Sequence, residues 1–337
     1  MARCERSALP HARSRAACRA RTGSGWPASV HAAFIVIVTS SGSLNTVEHY
    51  KHTTRHLAAG IGNIRLDKLT PDHVDRFLSE KAQAGLSRSY IRQMRNTLVQ
   101  AIGHAQGRGL VSRNVADLSV LPKAKPPTER RSLTAVEARS LLEAARDEHL
   151  EALMVVGLAV GLRPGELTGL LWSDLELDAD PPTLRVSGSM KRRPDGSLVR
   201  DDPKRSRAGR RTVALPMVAV DALRTHLAKQ AEDRIAAGPA WSANGLVFAS
   251  AVGTPLDPSN VRRAFKRVAS KAGLSEGFPY LLRHSAASLL LDGGASIEQV
   301  ADILGDNPET LLRYYRHRVR PVADAGLRMQ DVLAAKQ

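Results

Sequence analysis

Four stretches of this 337-residue chain hold the residue types that reactions at an anionic centre use. In "GLRPGEL" (161–167), Arg163 precedes Pro164 and stands three residues before Glu166. The residue before a proline is pushed out of helical geometry, and proline suits the first helical position, so Arg163 falls near a helix N-cap. There a guanidinium adds to the positive pole of the helix and makes a site for an anion. Glu166, in the same turn, can hold the arginine by a charge-assisted hydrogen bond. A plain surface ion pair accounts for the two residues equally well.

In "FPYLLRHSAASLLLDGG" (278–294), Tyr280, Arg283 and His284 stand at i, i+3 and i+4 behind Pro279 and share one helical face. Leu282, Ala286, Leu289 and Leu290 form another, directed at a core. Packing does not explain an Arg and a His on one stripe of an otherwise apolar helix. "LGDNPETLLRYYRHR" (304–318) adds adjacent tyrosines, Tyr314 and Tyr315. Leu311 and Leu312 precede Tyr315 by four and three residues, so wheel geometry alone favours a packing role, and a nucleophile would need partners from elsewhere. "DDPKRSRAGRRTVALP" (201–216) reads as a basic hairpin, suited to solvent or to DNA.

The elements that must position these residues follow from caps and periodicity. Thr70 caps a helix that opens at Pro71 and ends at Gly85, and Ser87 opens another with Ile91, Met94, Leu98 and Ile102 on one apolar face. Arg88, Arg92 and Arg95 lie mostly off that face, open to solvent or to phosphates. "LPKAKPPTER" (121–130) is a proline- and lysine-rich linker. Beyond it, Thr134 and Glu137 make a capping box. Short β-like runs follow at 183–187, 211–215 and 246–250 before helices resume at 257. Ser296 with Gln299 caps one later helix, Gly305 ends it, and Asn307 with Pro308 starts the next.

The expected fold class is therefore mainly α with a small antiparallel β-sheet. A helical domain spans 44–120, the linker 121–130, and a larger domain 131–337. Residues 1–43 are atypical, rich in Arg, Ala and Ser, and are expected to be disordered or a mis-started N-terminus.

Hydrophobic residues make up 43%, enough for two cores. Lys and Arg number 49 against 33 Asp and Glu, a net charge of +16 that favours a polyanionic partner. Cys4 and Cys18 are the chain's two cysteines, which excludes a disulfide framework or a cysteine-built zinc site in its body. No apolar run approaches the length of a membrane span, so the expected setting is the bacterial cytoplasm.

"GLRPGEL", "LLRHSAASLLLDGGASIEQVADILG" and "YYRHRVRPV" together resemble the tyrosine recombinase (phage-type integrase) family, over roughly residues 44–325. The ordered series Arg…Lys…(His/Lys/Tyr)-x-x-Arg…(His/Trp)…Tyr carries the resemblance. It implies a helical core-binding (SAM-like) domain followed by a tyrosine-recombinase catalytic domain. It implies that Arg163 and Arg283 clamp one scissile phosphate, supported by Glu166, with His284 supporting the fold or the clamp rather than transferring protons, and that Tyr315 attacks phosphorus, leaving a 3′-phosphotyrosine and a free 5′ hydroxyl. The proton for the leaving oxygen would come from Lys204. The spacing to "RRTVAL" is one residue longer than the family pattern and would admit Arg205, but a guanidinium is a poor proton donor.

No metal or nucleotide cofactor is implied. The implied partner is double-stranded DNA at specific recombination sites, bound by a homotetramer, with an accessory DNA-bending protein or excision factor. Arg88, Arg92 and Arg95 would contact DNA, and the tail 321–337 a neighbouring protomer.

Two positions depart from the pattern. Tyr280 stands where many members have histidine, although tyrosine and lysine also occur there. Asp306 stands where His or Trp is usual; an ionised carboxylate cannot donate to a phosphate and repels it. The expectations for Asp306 are reduced activity, a cap on the next helix, or a pair with an arginine. The rival reading is a catalytically impaired, integrase-derived DNA-binding protein that acts by occupancy.

Overall fold

The computed structural model describes residues 44–123, 131–201, 210–275 and 277–315. Residues 1–43, the Lys204/Arg205 alternative and the tail 321–337 lie outside them. The chain divides into two compact units, Met1–Pro127 and Thr128–Gln337.

In the first unit, α1 (Leu44–Ile61), α2 (Pro71–Gln83) and α3 (Arg88–Gly107) pack around Leu57, Phe77, Leu78, Ile91, Met94, Leu98 and Ile102. Each such side chain contributes about 1.5–3 kcal/mol by leaving water. Thr70 Oγ1 accepts from the His73 amide and Ser87 Oγ from the Tyr90 amide, each at 3.3 Å, so α2 and α3 begin at their side-chain caps. Arg88 and Arg92 are exposed. Arg95 departs from expectation. Its Nε donates to Ser119 O (3.2 Å) and Oγ (3.0 Å), and its Nη2 to Asp117 O (2.8 Å). It sits at the border of the apolar face, where the segment after α3 returns and offers carbonyls that need donors.

The second unit contains α4 (Ala135–Ala144), α5 (Glu151–Val160) and the one-turn α6 (Pro164–Thr168). Then come β1 (Leu175–Glu176), β2 (Thr183–Val186), β3 (Ser189–Arg192), β4 (Leu198–Asp201) and β5 (Arg211–Ala214). Helices α7 (Met217–Ala237), α8 (Pro258–Lys271), α9 (Tyr280–Asp292), α10 (Ile297–Leu304) and α11 (Pro308–Tyr315) complete it. β1, β2 and β5 form an antiparallel sheet in the order β1-β2-β5, with Val186 opposite Arg211, and among the described residues β3 pairs only with β4. Leu153, Leu184, Leu223, Phe248, Phe265 and Leu281 lie in the main core. Among the described residues no helix is long and apolar enough to cross a membrane.

Three sequence expectations need correction. Residues 246–250 form no strand among the described residues; Leu246 and Ala249 make isolated bridges to Leu171 and Pro255 with a bend at Val247 and Phe248 between them, and Leu246 to Ala249 are all buried, without the alternation of a half-exposed strand. The flanks of "DDPKRSRAGRRTVALP" are not one hairpin, because β4 pairs with β3 and β5 with β2. Finally, Arg283 does not lie on an open polar stripe of α9, although Tyr280 and His284 are exposed and half-buried. Both α5 and α10 pack on it, burying Leu281, Leu282, Arg283, Ser285, Ala286, Ala287 and Ser288, while Leu289 and Leu290 are only half-buried.

Candidate active site

The junction of α5 and α6 positions Arg163. Gly161 ends α5 at φ +71°, and a Cβ there would lie 2.4 Å from the Leu304 side chain and 3.0 Å from Ala286 Cβ. Glycine thus supplies both the left-handed turn and the close approach of α5 to α9 and α10. Arg163 follows in an extended conformation ahead of Pro164. Glu166 accepts from the Arg163 amide at 3.0 Å and from its Nη1 at 2.9 Å. Since α6 is a single turn, its dipole is small, and charge at this site comes from side chains.

The end of α10 organises three arginines. Its last carbonyls lack helical partners. Ile303 O accepts from Arg211 Nε (2.7 Å), Leu304 O from Arg283 Nη1 (2.9 Å), and Gly305 O from Arg163 Nη2 (2.8 Å). Gly161 O takes a second bond from Arg283 Nη1 at 2.9 Å. Arg211 Nη2 donates to Glu166 at 2.9 Å, closing a buried network in which both side chains are under a tenth exposed.

Arg211 was not singled out by the sequence reading. The signal was strand parity: Arg211 is two residues from Val213 and four from Leu215, on the inward face of β5.

Asp306 closes the arrangement. One carboxylate oxygen accepts from Arg163 Nη2 at 2.7 Å and the other from Arg283 Nη2 at 2.5 Å. Of the three expectations for this residue, pairing with arginine is the one the geometry shows, and it involves two arginines. The helix cap is Asn307, whose Oδ1 accepts from the Glu309 amide at 3.0 Å.

The electrostatics are consistent with this. Burial and the nearby positive charge of Arg163 lower the Arg283 pKa, against the pull of Asp306. Burial pushes the Glu166 carboxyl up, but Arg211 and Arg163 outweigh it and hold it below the usual carboxylate range. Two adjacent guanidiniums, one of them buried, require an anion between them, and in this structure Asp306 is that anion.

The remaining sequence candidates are placed differently. Tyr315 is buried at the end of α11 against Leu311, Leu304 and Val300. Its hydroxyl lies 2.9 Å from His284 Nδ1. His284 therefore reaches the tyrosine; the expectation was support of the fold or of the arginine clamp. Tyr280 is half-exposed, with its ring centroid 6.4 Å from that of His284. Among the described residues no hydrogen bond joins Tyr280 to Arg163, Arg283 or Asp306. Tyr314 is exposed at 41%, which separates the two adjacent phenols clearly.

Residues 131–320 match the model of the phage integrase family. The chain belongs to the phage integrase family. Similar proteins include an integrase of Streptomyces ambofaciens, 36% identical over 298 residues that cover 85% of this chain and 74% of that one. A tyrosine recombinase XerC of Corynebacterium efficiens is 29% identical, with 81% and 80% covered. The fold is also that of the Tn1549 transposon integrase in complex with a circular intermediate DNA (TM-score 0.76, 19% identity, 90% of this chain and 99% of that one). It is shared by a lambda integrase tetramer bound to a Holliday junction (TM-score 0.60, 20% identity, 86% and 77%). This phage integrase is thus a tyrosine-type site-specific recombinase, an enzyme that breaks and rejoins DNA.

Proposed function

We propose that Arg163 and Arg283 hold the scissile phosphate of a DNA duplex and that Tyr315 is the nucleophile. The observation that carries this reading is the convergence of both Nη2 atoms on one anion, the Asp306 carboxylate. Two oxygens of a carboxylate occupy the positions that two non-bridging phosphate oxygens would take. The scissile phosphate replaces Asp306 in the clamp, and Glu166 and Arg211 keep Arg163 oriented while it does so. As charge grows on the pentavalent phosphorus, the fixed guanidiniums stabilise it without reorganising. Lys204 supplies the proton to the departing 5′ oxygen.

The substrate is double-stranded DNA at specific recombination sites, bound by a homotetramer with an accessory DNA-bending or excision factor and acting at the bacterial nucleoid. Residues 44–120 serve as the core-binding domain and 131–337 as the catalytic domain. Arg88 and Arg92 contact DNA phosphates. Support comes from the +16 charge, the integrase relatives and the DNA-bound state of the structural neighbours.

The test is a nicked suicide duplex carrying a core site selected from a random pool by binding to the protein. A covalent protein–DNA adduct that disappears in Tyr315→Phe is the expected result. Binding with no adduct would leave the chain as an occupancy factor.

A further inference from the structure

We propose that His284 is the general base that takes the proton of the Tyr315 hydroxyl during strand cleavage. This rests on the assignment of Tyr315 as nucleophile. Tyr315 is 7% exposed, among apolar side chains of α9, α10 and α11. In such surroundings a phenol, with an ordinary pKa of about 10, cannot ionise by losing its proton to solvent. A partner must take that proton as the bond to phosphorus forms.

His284 Nδ1 stands 2.9 Å from the Tyr315 hydroxyl, within the reach that proton transfer requires. With its own hydrogen on Nε2, a neutral imidazole accepts the phenolic hydrogen at Nδ1. Among the described residues, ionisable groups near this imidazole include Tyr280 on its own helix, Tyr315 on α11, and the Arg283 guanidinium that begins one residue away. A phenol such as that of Tyr280 is by its chemistry a poor proton acceptor near neutral pH. Arg283 is permanently protonated. Among these described groups, the imidazole at 2.9 Å from the hydroxyl is the one that can accept.

The placement has a mechanical basis in α9. Arg283 and His284 are consecutive, so their side chains leave the helix about 100° apart. One reaches the Asp306 end of the clamp and the other the nucleophile. A single turn of α9 therefore ties the phosphate site to the group that activates its attacker.

The step balances. The Tyr315 Oη–P bond forms, its proton moves to His284 Nδ1 to give imidazolium, and the P–O5′ bond breaks. The 5′ oxygen takes a separate proton from Lys204. In rejoining, the 5′ hydroxyl attacks phosphorus, its proton returns to Lys204, and the imidazolium protonates the departing tyrosine.

His284→Asn separates this role from packing, because the asparagine Oδ1 can stand near the place of Nδ1 and keep a hydrogen bond while lacking a usable base. Adduct formation on the suicide duplex is followed across pH 5.5–9, with duplex affinity measured by fluorescence anisotropy. The expected result is cleavage at least about 100-fold slower at unchanged affinity, with the rising limb of the wild-type pH profile lost. In His284→Ala, added imidazole restores part of the rate. Cleavage by His284→Asn within about threefold of wild type, with the same pH profile, would overturn the inference and leave His284 a packing partner. A wild-type chain that forms no Tyr315-dependent adduct would remove the proposed function itself, and this inference with it.

Discussion

The basic face of α3 and the arginine cluster at the end of α10 look alike in sequence, as arginines among apolar residues, yet they use their charge differently. On α3, Arg88 and Arg92 extend into solvent, while Arg95 is bound to Ser119 and Asp117 of its own unit. At α10, Arg163, Arg211 and Arg283 are engaged on backbone carbonyls and on two carboxylates. The first two are exposed charges suited to any phosphate. The second set is a rigid frame suited to one. Formal charge therefore does not report availability; the number of carbonyls and carboxylates within reach decides it.

Mutations can break this contrast, and the largest effect is expected at Arg283. Arg283→Lys keeps the charge but cannot reach Gly161 O, Leu304 O and an anion together. We expect its adduct rate to fall by about 10²–10³, as for loss of a fixed oxyanion donor. An unchanged single-turnover rate would show that a point charge suffices.

Arg211→Ala leaves Glu166 buried with one arginine fewer, at a cost of about 3–5 kcal/mol. Urea unfolding followed by circular dichroism would read this, and a midpoint equal to wild type would refute the buried network.

Asp306→His removes the resident anion and supplies a donor. Cleavage should rise about tenfold if displacement of Asp306 limits entry of the phosphate, and unchanged or lower cleavage would make Asp306 a positioning group.

The smallest effects belong to α3. Arg92→Ala should reduce the salt slope of DNA binding by about 1 and weaken binding alike on all sequences. Arg95→Ala should leave the slope alone and lower stability by about 1 kcal/mol.

Acid should act on the α10 cluster through Glu166. Its folded pKa is depressed, so its contribution to stability is present above the unfolded value of about 4.3 and is lost as pH falls through the lower folded value. Glu166→Gln should flatten the acid limb of the unfolding curve, and identical limbs would place the acid sensitivity elsewhere.

Local signals in the sequence were legible wherever one residue decides the backbone. Thr70, Ser87, Thr134 and Ser296 all cap where their side chains allow, and Gly161 and Gly305 end helices in the left-handed region. The apolar face of α3 followed from its spacing. What the sequence hid is tertiary. Arg283 reads as a polar face because α9 alone does not reveal that α5 and α10 cover it. Arg211 was read as part of a strand, because its partner Glu166 lies 45 residues earlier. Asp306 was expected to lower activity, cap the next helix or pair with an arginine, and only the fold shows it standing between two guanidiniums at once. The reach of His284 to Tyr315 depends on the return of α11 to α9, which no window of sequence contains.

The three consecutive carbonyls at the end of α10 carry a consequence for how such a site can change over time. Ile303, Leu304 and Gly305 each hold a different arginine through the main chain, which no side-chain substitution removes. The guanidiniums thus take their positions from the helix terminus, and the next residue, Asp306, supplies the anion between two of them. A substitution at position 306 would therefore alter the charge between Arg163 and Arg283 while leaving the main-chain frame that holds them in place.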